Sequence, residues 1–454
     1  MTTWTTKLAA ALAAAALAFT GCSSSDEPAA PSNTITYWLW DSAQQPGYQK
    51  CADGFEQANP GLRINIVQMG WDDYWSKLTA GFIADQAPDV FTNHLGKYAQ
   101  FVDLGVLLPL DDFEATRGIE SADYQAGLGD VWIGQDGKRY GAPKDWDTIG
   151  YFYDRKKVAA AGITPEQLAS MTWNPDDGGS FEKVIAHLTV DAKGRRGDEP
   201  GFDKDNVKVF GLASDGSGGG NFGQTQWAPY AQSLENRWQP TDTNPWGTHF
   251  RFDDPDFQKT VAWYYGLADK GYMPKYSTFG PSTGSYAQFA AGRAALAMNG
   301  SWMISSFASL KDVDLAIAPT PVGPSGKRAT PFNGLADSIT KYTRNPEGSA
   351  KWVAWMASDA CQDVIGAAGV VFPARAKGTE ISLATRKQAG LDVSAFTRQV
   401  EEGTTVLQPV VQNAADLTAL TEPQFDALYI GSAPASDLTT MNDQINKLFE
   451  ITAR

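Results

Sequence analysis

The chain has 454 residues and a formal net charge of −15 at pH 7, and 43% of its residues are hydrophobic against 20% charged. This profile is that of a soluble globular protein, and the negative charge argues against nucleic acid and anionic lipid as partners and, more weakly, against an anionic substrate. Roughly 420 residues follow the N-terminal export segment described next, which predicts two or three domains.

Residues 1–21 have the pattern of a secretory signal peptide. Lys7 precedes an unbroken apolar run from Leu8 to Phe19. The run is too short to cross a bilayer, which needs about 20 apolar residues, so it predicts export rather than a permanent membrane helix.

Cys22 makes the export prediction more specific. Small residues followed by cysteine resemble a bacterial lipobox, which predicts cleavage before Cys22 and lipidation of its thiol. Phe19 departs from this pattern, which prefers Leu there, and an ordinary secreted protein is the alternative. Residues 22–33 are small and polar and include proline, as in a flexible leash. The protein is therefore expected at the extracellular face of the cytoplasmic membrane, anchored by lipid.

The mature chain begins with alternating strands and helices. Hydrophobic patterning predicts strands at 34–40, 63–69 and 89–92, with helices at 48–59 and 72–85 between them. This order implies a parallel α/β sheet with ligand chemistry at the carboxyl ends of its strands. Those ends carry Trp40, Asp41, Trp71, Asn93 and His94.

Cysteine and histidine usage limits the possible chemistry. Cys51 and Cys361 are the two cysteines besides Cys22, and in an oxidising compartment they are expected either as one disulfide or as two buried thiols. The three histidines are widely separated in the sequence, which disfavours a histidine-based metal site or catalytic triad. No metal or other cofactor is expected.

Two loops resemble ligand-binding motifs without matching them. The acidic loop Asp191–Asn206 lacks the spacing of an EF-hand and is expected to be a solvated surface loop. The Gly-rich segment Asp215–Gly223 lacks the GK[ST] of a phosphate-binding loop, and we expect a turn that lets backbone approach a ligand.

Several segments, in this order and spacing, resemble the extracellular solute-binding proteins of ABC sugar importers, the family-1 group that includes maltodextrin-binding protein. The most distinctive is the Asn-Gly-Ser-Trp turn at 299–302, which follows Gly-Arg-Ala-Ala. The others are ITYWLWD (35–41), FEQANPGLRINI (55–66), YWSKLTAGFIADQAPDVF (74–91), DGKRYGAPKDWDTIGYFYD (136–154), APTPVGPSGKRATPFNGLADSIT (318–340), NPEGSAKWVAWM (345–356) and VVFPAR (370–375).

The resemblance implies a type II periplasmic-binding-protein-like fold, with two α/β lobes, a hinge that the chain crosses three times, and a ligand cleft between the lobes. The first two crossings are expected near Trp146–Gly150 and Ala316–Pro321, and the third after Cys361. The N-terminal lobe would then hold residues 34–148 and 320–361. The C-terminal lobe would hold residues 149–319 and 362–454.

A sugar ring has an apolar face, which aromatic side chains cover, and a rim of hydroxyls, which carboxylates and amides bind. Asp145 and Asp147 flank Trp146 before a strand, so an extended chain would point both carboxylates one way. Trp302 matches the family's stacking position. The predicted ligand-binding residues are Trp40, Asp41, Trp71, Asn93, Asp145, Asp147, Trp227, Trp302, Asn333 and Arg375.

The resemblance implies a monomeric, non-enzymatic protein that captures a mono- or oligosaccharide and delivers it to ABC permease subunits by lobe closure. Two alternatives stay open. Asp145 and Asp147 could imitate the carboxylate pair of a glycosidase. A non-sugar solute is the other, although a phosphate ligand would call for an Arg/Lys cluster that the cleft residues do not supply.

Overall fold

The computed structural model describes residues 32–279 and 283–452. The predicted signal peptide, the lipidation site Cys22 and nearly all of the leash lie outside the described residues. Within the described ranges, no helix combines the length and apolar character needed to cross a membrane.

Eight strands form the first sheet. They are β1 (Thr34–Leu39), β2 (Arg63–Gln68), β3 (Val90–His94), β4 (Leu107–Leu108), β5 (Ala142–Asp147), β11 (Thr330–Thr340), β12 (Phe372–Pro373) and β13 (Thr405–Leu407). The order is β12-β5-β11-β3-β1-β2, and β4 and β13 also pair with β11. Strand β1 runs parallel to both β2 and β3, as the βαβαβ pattern predicts.

Five strands form the second sheet. They are β6 (Ile149–Asp154), β7 (Val190–Asp191), β8 (Val207–Leu212), β9 (Ala294–Gly300) and β10 (Leu315–Ala318), in the order β10-β6-β9-β8-β7. We call each sheet, with the helices packed on it, the first and the second lobe.

Sixteen α-helices complete the described fold. They are α1 (Gln45–Ala58), α2 (Trp71–Ile83), α3 (Leu95–Asp103), α4 (Arg155–Ala160), α5 (Pro165–Ala169), α6 (Gly179–Leu188), α7 (Ala228–Ala231), α8 (Pro255–Asp269), α9 (Ser285–Ala290), α10 (Ile304–Ala308), α11 (Pro346–Met356), α12 (Asp359–Ala368), α13 (Ala376–Gln388), α14 (Ser394–Glu401), α15 (Ala414–Ile430) and α16 (Leu438–Thr452).

The early elements follow from local sequence. Alternation in β1 buries Ile35, Tyr37 and Leu39 on one face. Helix α1 begins before the predicted range because Pro46 occupies its first turn, where proline has the right backbone angle and no N–H is needed. Helix α2 begins at Trp71, which puts that side chain at a helix end beside the sheet edge.

The chain passes between the sheets at Thr148, the single residue between β5 and β6, and again between β10 and β11. Both passages fall in or next to the ranges expected for the first two crossings. The assignment of everything after Cys361 to the second lobe is wrong, because β12 extends the first sheet beside β5 and α13 packs on α12. Helices α15 and α16 do join the second core, through Phe425 and Phe449 among others.

A disulfide joins Cys51 in α1 to Cys361 in α12, with an S–S distance of 2.08 Å. Of the two alternatives for these cysteines, the structure therefore has the disulfide and not two separate thiols. The bridge ties two segments of the first lobe that are 310 residues apart in sequence.

Candidate ligand-binding cleft

Four rings form an aromatic wall where β1, β3 and α2 meet. The wall consists of Trp40, Trp71, Trp75 and His94. The ring centroids of Trp40 and Trp71 are 5.1 Å apart at an interplanar angle of 89°, and Trp71 lies 5.6 Å from the imidazole of His94. Such edge-to-face contacts fix ring orientation and add stability beyond area burial.

Trp71 is the exposed member of the aromatic wall, with 43% of its surface accessible, whereas Trp40 is half-buried. Gln68 holds the backbone beneath the wall, because its Nε2 donates to the carbonyl of Trp40 over 2.9 Å. An exposed tryptophan held rigidly by its neighbours presents an apolar face at little entropic cost, which suits a stacking ligand.

A polar network lies beside the wall at the passage between sheets. Asp147, the last residue of β5, accepts from Nδ2 of Asn333 on one carboxylate oxygen and from Nε2 of Gln224 on the other, both over 3.0 Å. Asn333 also lies 3.1 Å from Nε2 of His94. The network joins three elements of the first lobe to the loop that follows β8.

Burial sets the protonation of this network. Desolvation raises the pKa of Asp147 to about 8, with nearby Asp145 adding to the shift, so the carboxyl is mostly neutral at pH 7. Desolvation lowers the pKa of His94 to about 3, with Lys97 contributing. Nδ1 of His94 accepts from the backbone N–H of Gly96 at the start of α3, which holds the ring beside Asn333.

Asp145 and Asp41 are less available than the sequence predicts. Asp145 is 2% exposed and forms a 2.8 Å ion pair with Lys144, whose ammonium also lies 4.4 Å from the ring centroid of Tyr48. The carboxylate of Asp41 accepts from the backbone N–H of Ala43 and from Gln44 within its own turn. Asp145 is also buried, whereas the catalytic acid of a glycosidase must be exposed to its substrate.

Trp302 lies in the second lobe, two residues after β9. The N–H of Ser301 donates to the carbonyl of Thr148, so this turn is held directly at the passage between sheets. The Trp302 ring lies across Gly300, where a Cβ would be 1.7 Å from its Cζ3, so only glycine permits this placement. The ring is half-buried against the second core.

Asn93 and Trp227 lie in the interior of the structure, away from the predicted cleft surface. Asn93 is fully buried, its amide donates to Ser338, and its oxygen accepts from the N–H of His94. Trp227 is 0% exposed, stacks on Phe425 at 4.9 Å and donates its indole N–H to the Ser217 carbonyl. Both side chains have their hydrogen-bond and packing partners inside the protein, and neither is exposed in this structure.

Arg375 is held by partners within the first lobe. Its guanidinium forms ion pairs with Asp123 and Asp359 and donates to the carbonyl of Ala357. These partners belong to the first lobe's own helical packing, so the side chain is used for structure rather than for the cleft.

The acidic loop and the Gly-rich segment, which resemble ligand-binding motifs in the sequence, make their contacts within the protein. Asp191 accepts from the backbone N–H groups of Lys193, Arg195 and Asp203, so its carboxylate organises its own loop. No cluster of three or more metal-ligating side chains occurs among the residues that the structure describes. In the Gly-rich segment Gly219 approaches α15 closely, since a Cβ on Gly219 would lie 2.8 Å from the Thr421 carbonyl oxygen.

The sequence does not predict Gln224 or Lys97 as part of the candidate site, and it does not decide whether His94 belongs to it. Gln224 directly follows the Gly-rich segment, which is the signal that could have identified it. Lys97 lies three residues after His94, one helical turn along α3, and this spacing could have placed both on one face.

Residues 50–381 match the family described as bacterial extracellular solute-binding protein. The chain belongs to this family. The prediction of a binding protein rather than an enzyme is thereby confirmed, and the family description agrees with an extracellular location.

Individual relatives agree with the family. Maltodextrin-binding protein MdxE of Bacillus subtilis (strain 168) is 25% identical over 447 residues, covering 96% of this chain and 94% of the relative. The substrate-binding protein Lmo0181 of Listeria monocytogenes, solved with cycloalternan, superposes with a TM-score of 0.75 at 19% identity, covering 92% and 99% of the chains. The GacH receptor of Streptomyces glaucescens, solved unliganded and with acarbose, gives 0.73 at 20% identity, covering 92% and 98%. The two-lobed α/β fold prediction is confirmed.

Proposed function

We propose that this solute-binding protein captures a sugar or oligosaccharide outside the membrane and delivers it to the permease of an ABC importer. The observation that carries the proposal is the aromatic wall, in which exposed Trp71 is braced by Trp40 and His94. A flat apolar ring beside hydrogen-bonding groups is the chemistry that a pyranose needs. The printed descriptions of the relatives, with maltodextrin, cycloalternan and acarbose, support the same ligand class.

Each lobe contributes part of the proposed site. Trp40, Asp41, Trp71, Asp147 and Asn333 come from the first sheet and its helices, and Trp302 comes from the second. A ligand that contacts both lobes favours the conformation in which the lobes are together, by its differential affinity for that state. The closed monomer then docks on the permease subunits.

Membrane attachment through Cys22 completes the proposal. Lipidation after removal of residues 1–21 keeps the receptor near its permease and raises its effective concentration there. Metabolic labelling with a radioactive fatty acid tests this step. Label should enter the wild-type protein and be absent from Cys22→Ala, and label in that variant would contradict the assignment.

A binding screen tests the ligand class. Purified protein is titrated against a panel of mono- and oligosaccharides by calorimetry and thermal shift, and each sugar is then recovered and chromatographed. Binding with recovery of unchanged sugar supports the proposal. Release of hydrolysis products would favour the glycosidase alternative, and exclusive binding of a non-sugar solute would contradict the proposal.

A further inference from the structure

Lys97 places a cation at the edge of the aromatic wall. It lies in the first turn of α3, half-buried, with its ammonium 6.0 Å from the centroid of the Trp75 ring. Among the residues that the structure describes, no side chain forms an ion pair or a hydrogen bond with this ammonium. A lysine has three N–H donors, so this ammonium can donate to a ligand beside the proposed platform.

The surroundings do not neutralise this charge. Burial lowers the pKa of Lys97, and the opposing effect of Glu422, on α15 of the second lobe, is smaller. The burial cost of a charged group is offset when it forms charge-assisted hydrogen bonds, which are about twice as strong as neutral ones. An anionic acceptor supplied by a ligand would offset the cost of this burial.

Glu422 is a competing acid, but two other acids of the site do not repel an anion strongly. Asp147 is mostly neutral at pH 7, since its pKa is about 8. Asp145 is ion-paired with Lys144. The overall charge of −15 disfavours anionic ligands at long range, but over a few ångströms the local arrangement decides, because exposed charges are screened within about 8–10 Å.

We infer that Lys97 determines ligand specificity, and that the ligand is an acidic saccharide whose uronate carboxylate binds the Lys97 ammonium while its ring stacks on the aromatic wall. This inference rests on the proposed function, because it assumes that the wall binds a sugar ring. A carboxylate fits better than a hydroxyl, since it supplies the countercharge as well as the acceptor.

Matched ligand pairs test the inference. The purified protein is titrated with neutral disaccharides and with the same disaccharides oxidised to uronates at C6, at low and at high salt. At low salt the wild-type protein should bind the uronate of a pair about tenfold more tightly, as expected for one charge-assisted contact, and salt should reduce that ratio.

Variants locate the effect. Lys97→Met should abolish the preference for the uronate while the neutral sugar binds as before, and Lys97→Arg should retain it. Glu422→Gln should increase the preference by removing a competing acid. Lys183→Met, at an exposed lysine on α6, is the control and should change nothing. Thermal melting confirms that each variant is folded.

The outcomes separate the two proposals. Equal binding of both members of each pair, or a uronate preference that persists in Lys97→Met, would overturn the inference and leave the sugar-binding proposal intact. Failure of every saccharide to bind would contradict the proposed function and the inference together.

Discussion

The side-chain amide of Gln224 donates to the carboxyl of Asp147 over 3.0 Å, and this bond links a loop of the second lobe to the last residue of the first-lobe strand β5. Because Thr148 is the only residue between β5 and β6, the bond spans the two lobes right beside one of their covalent connections. Its strength therefore bears on how readily the lobes separate.

Substitution of Gln224 should shift the balance between lobe arrangements. In Gln224→Glu two carboxyl groups would meet at hydrogen-bond distance, and their repulsion when ionised should favour separated lobes and weaken ligand binding. Small-angle X-ray scattering above pH 8 should show a larger radius of gyration than for the wild-type protein. Gln57→Glu, at an exposed glutamine of α1, is the control. An unchanged radius and affinity in Gln224→Glu would contradict the role of this bond.

Asp147 should make folding stability depend on pH. Its pKa is raised in the folded state to about 8 from 3.8, so between these values the folded protein holds a proton that the unfolded chain has lost. The contribution is full below about pH 4 and is lost as the pH rises through about 8, with a slope of at most about 1.4 kcal/mol per pH unit. Urea unfolding of wild-type and Asp147→Asn protein measures the difference in unfolding free energy. A difference that does not change from pH 4 to 8 would show that Asp147 is ionised throughout.

Trp71 and Trp227 should respond in opposite ways to truncation. Trp71→Ala should weaken sugar binding about tenfold, the loss of one stacking contact, with a stability change within about 0.5 kcal/mol, because the side chain is exposed. Trp227→Ala should cost about 3–5 kcal/mol of stability, because it leaves a cavity against Phe425 in the second core. Calorimetry and urea unfolding measure both quantities. Unchanged affinity in Trp71→Ala would remove the aromatic wall from the site.

The disulfide should stabilise the first lobe without affecting binding. Joint Cys51→Ser and Cys361→Ser substitution should lower the unfolding free energy by about 2–5 kcal/mol, since the bridge restricts an unfolded chain over 310 residues. Sugar affinity should stay the same, because the bridge joins α1 and α12 away from the aromatic wall. Equal stability of the wild-type protein with and without reductant would show that the bridge does not form in solution.

Local sequence was sufficient to predict the first strands and helices of the chain. Alternation in β1 and the proline near the start of α1 act within a few residues, so patterning places these elements closely. The same patterning places Trp40 and Trp71 close together, because the carboxyl ends of parallel strands meet at one edge of a sheet, and their rings are 5.1 Å apart in the structure. The internal partners of Asn93, Trp227 and Arg375 could not be predicted, because residue type at a strand or helix end does not say which distant residue will contact it.

The alternating α/β pattern and the family could be read from the amino-acid sequence alone, since they depend on short-range patterns and on the order of segments. The tertiary structure was needed to show which polar groups have partners inside the protein and which can bind a ligand. Asp145 forms an ion pair with Lys144, whereas no described residue accepts a hydrogen bond from the Lys97 ammonium. The physical reason is that hydrogen-bond and charge satisfaction depend on neighbours brought from distant parts of the chain, as Gln224 is brought to Asp147.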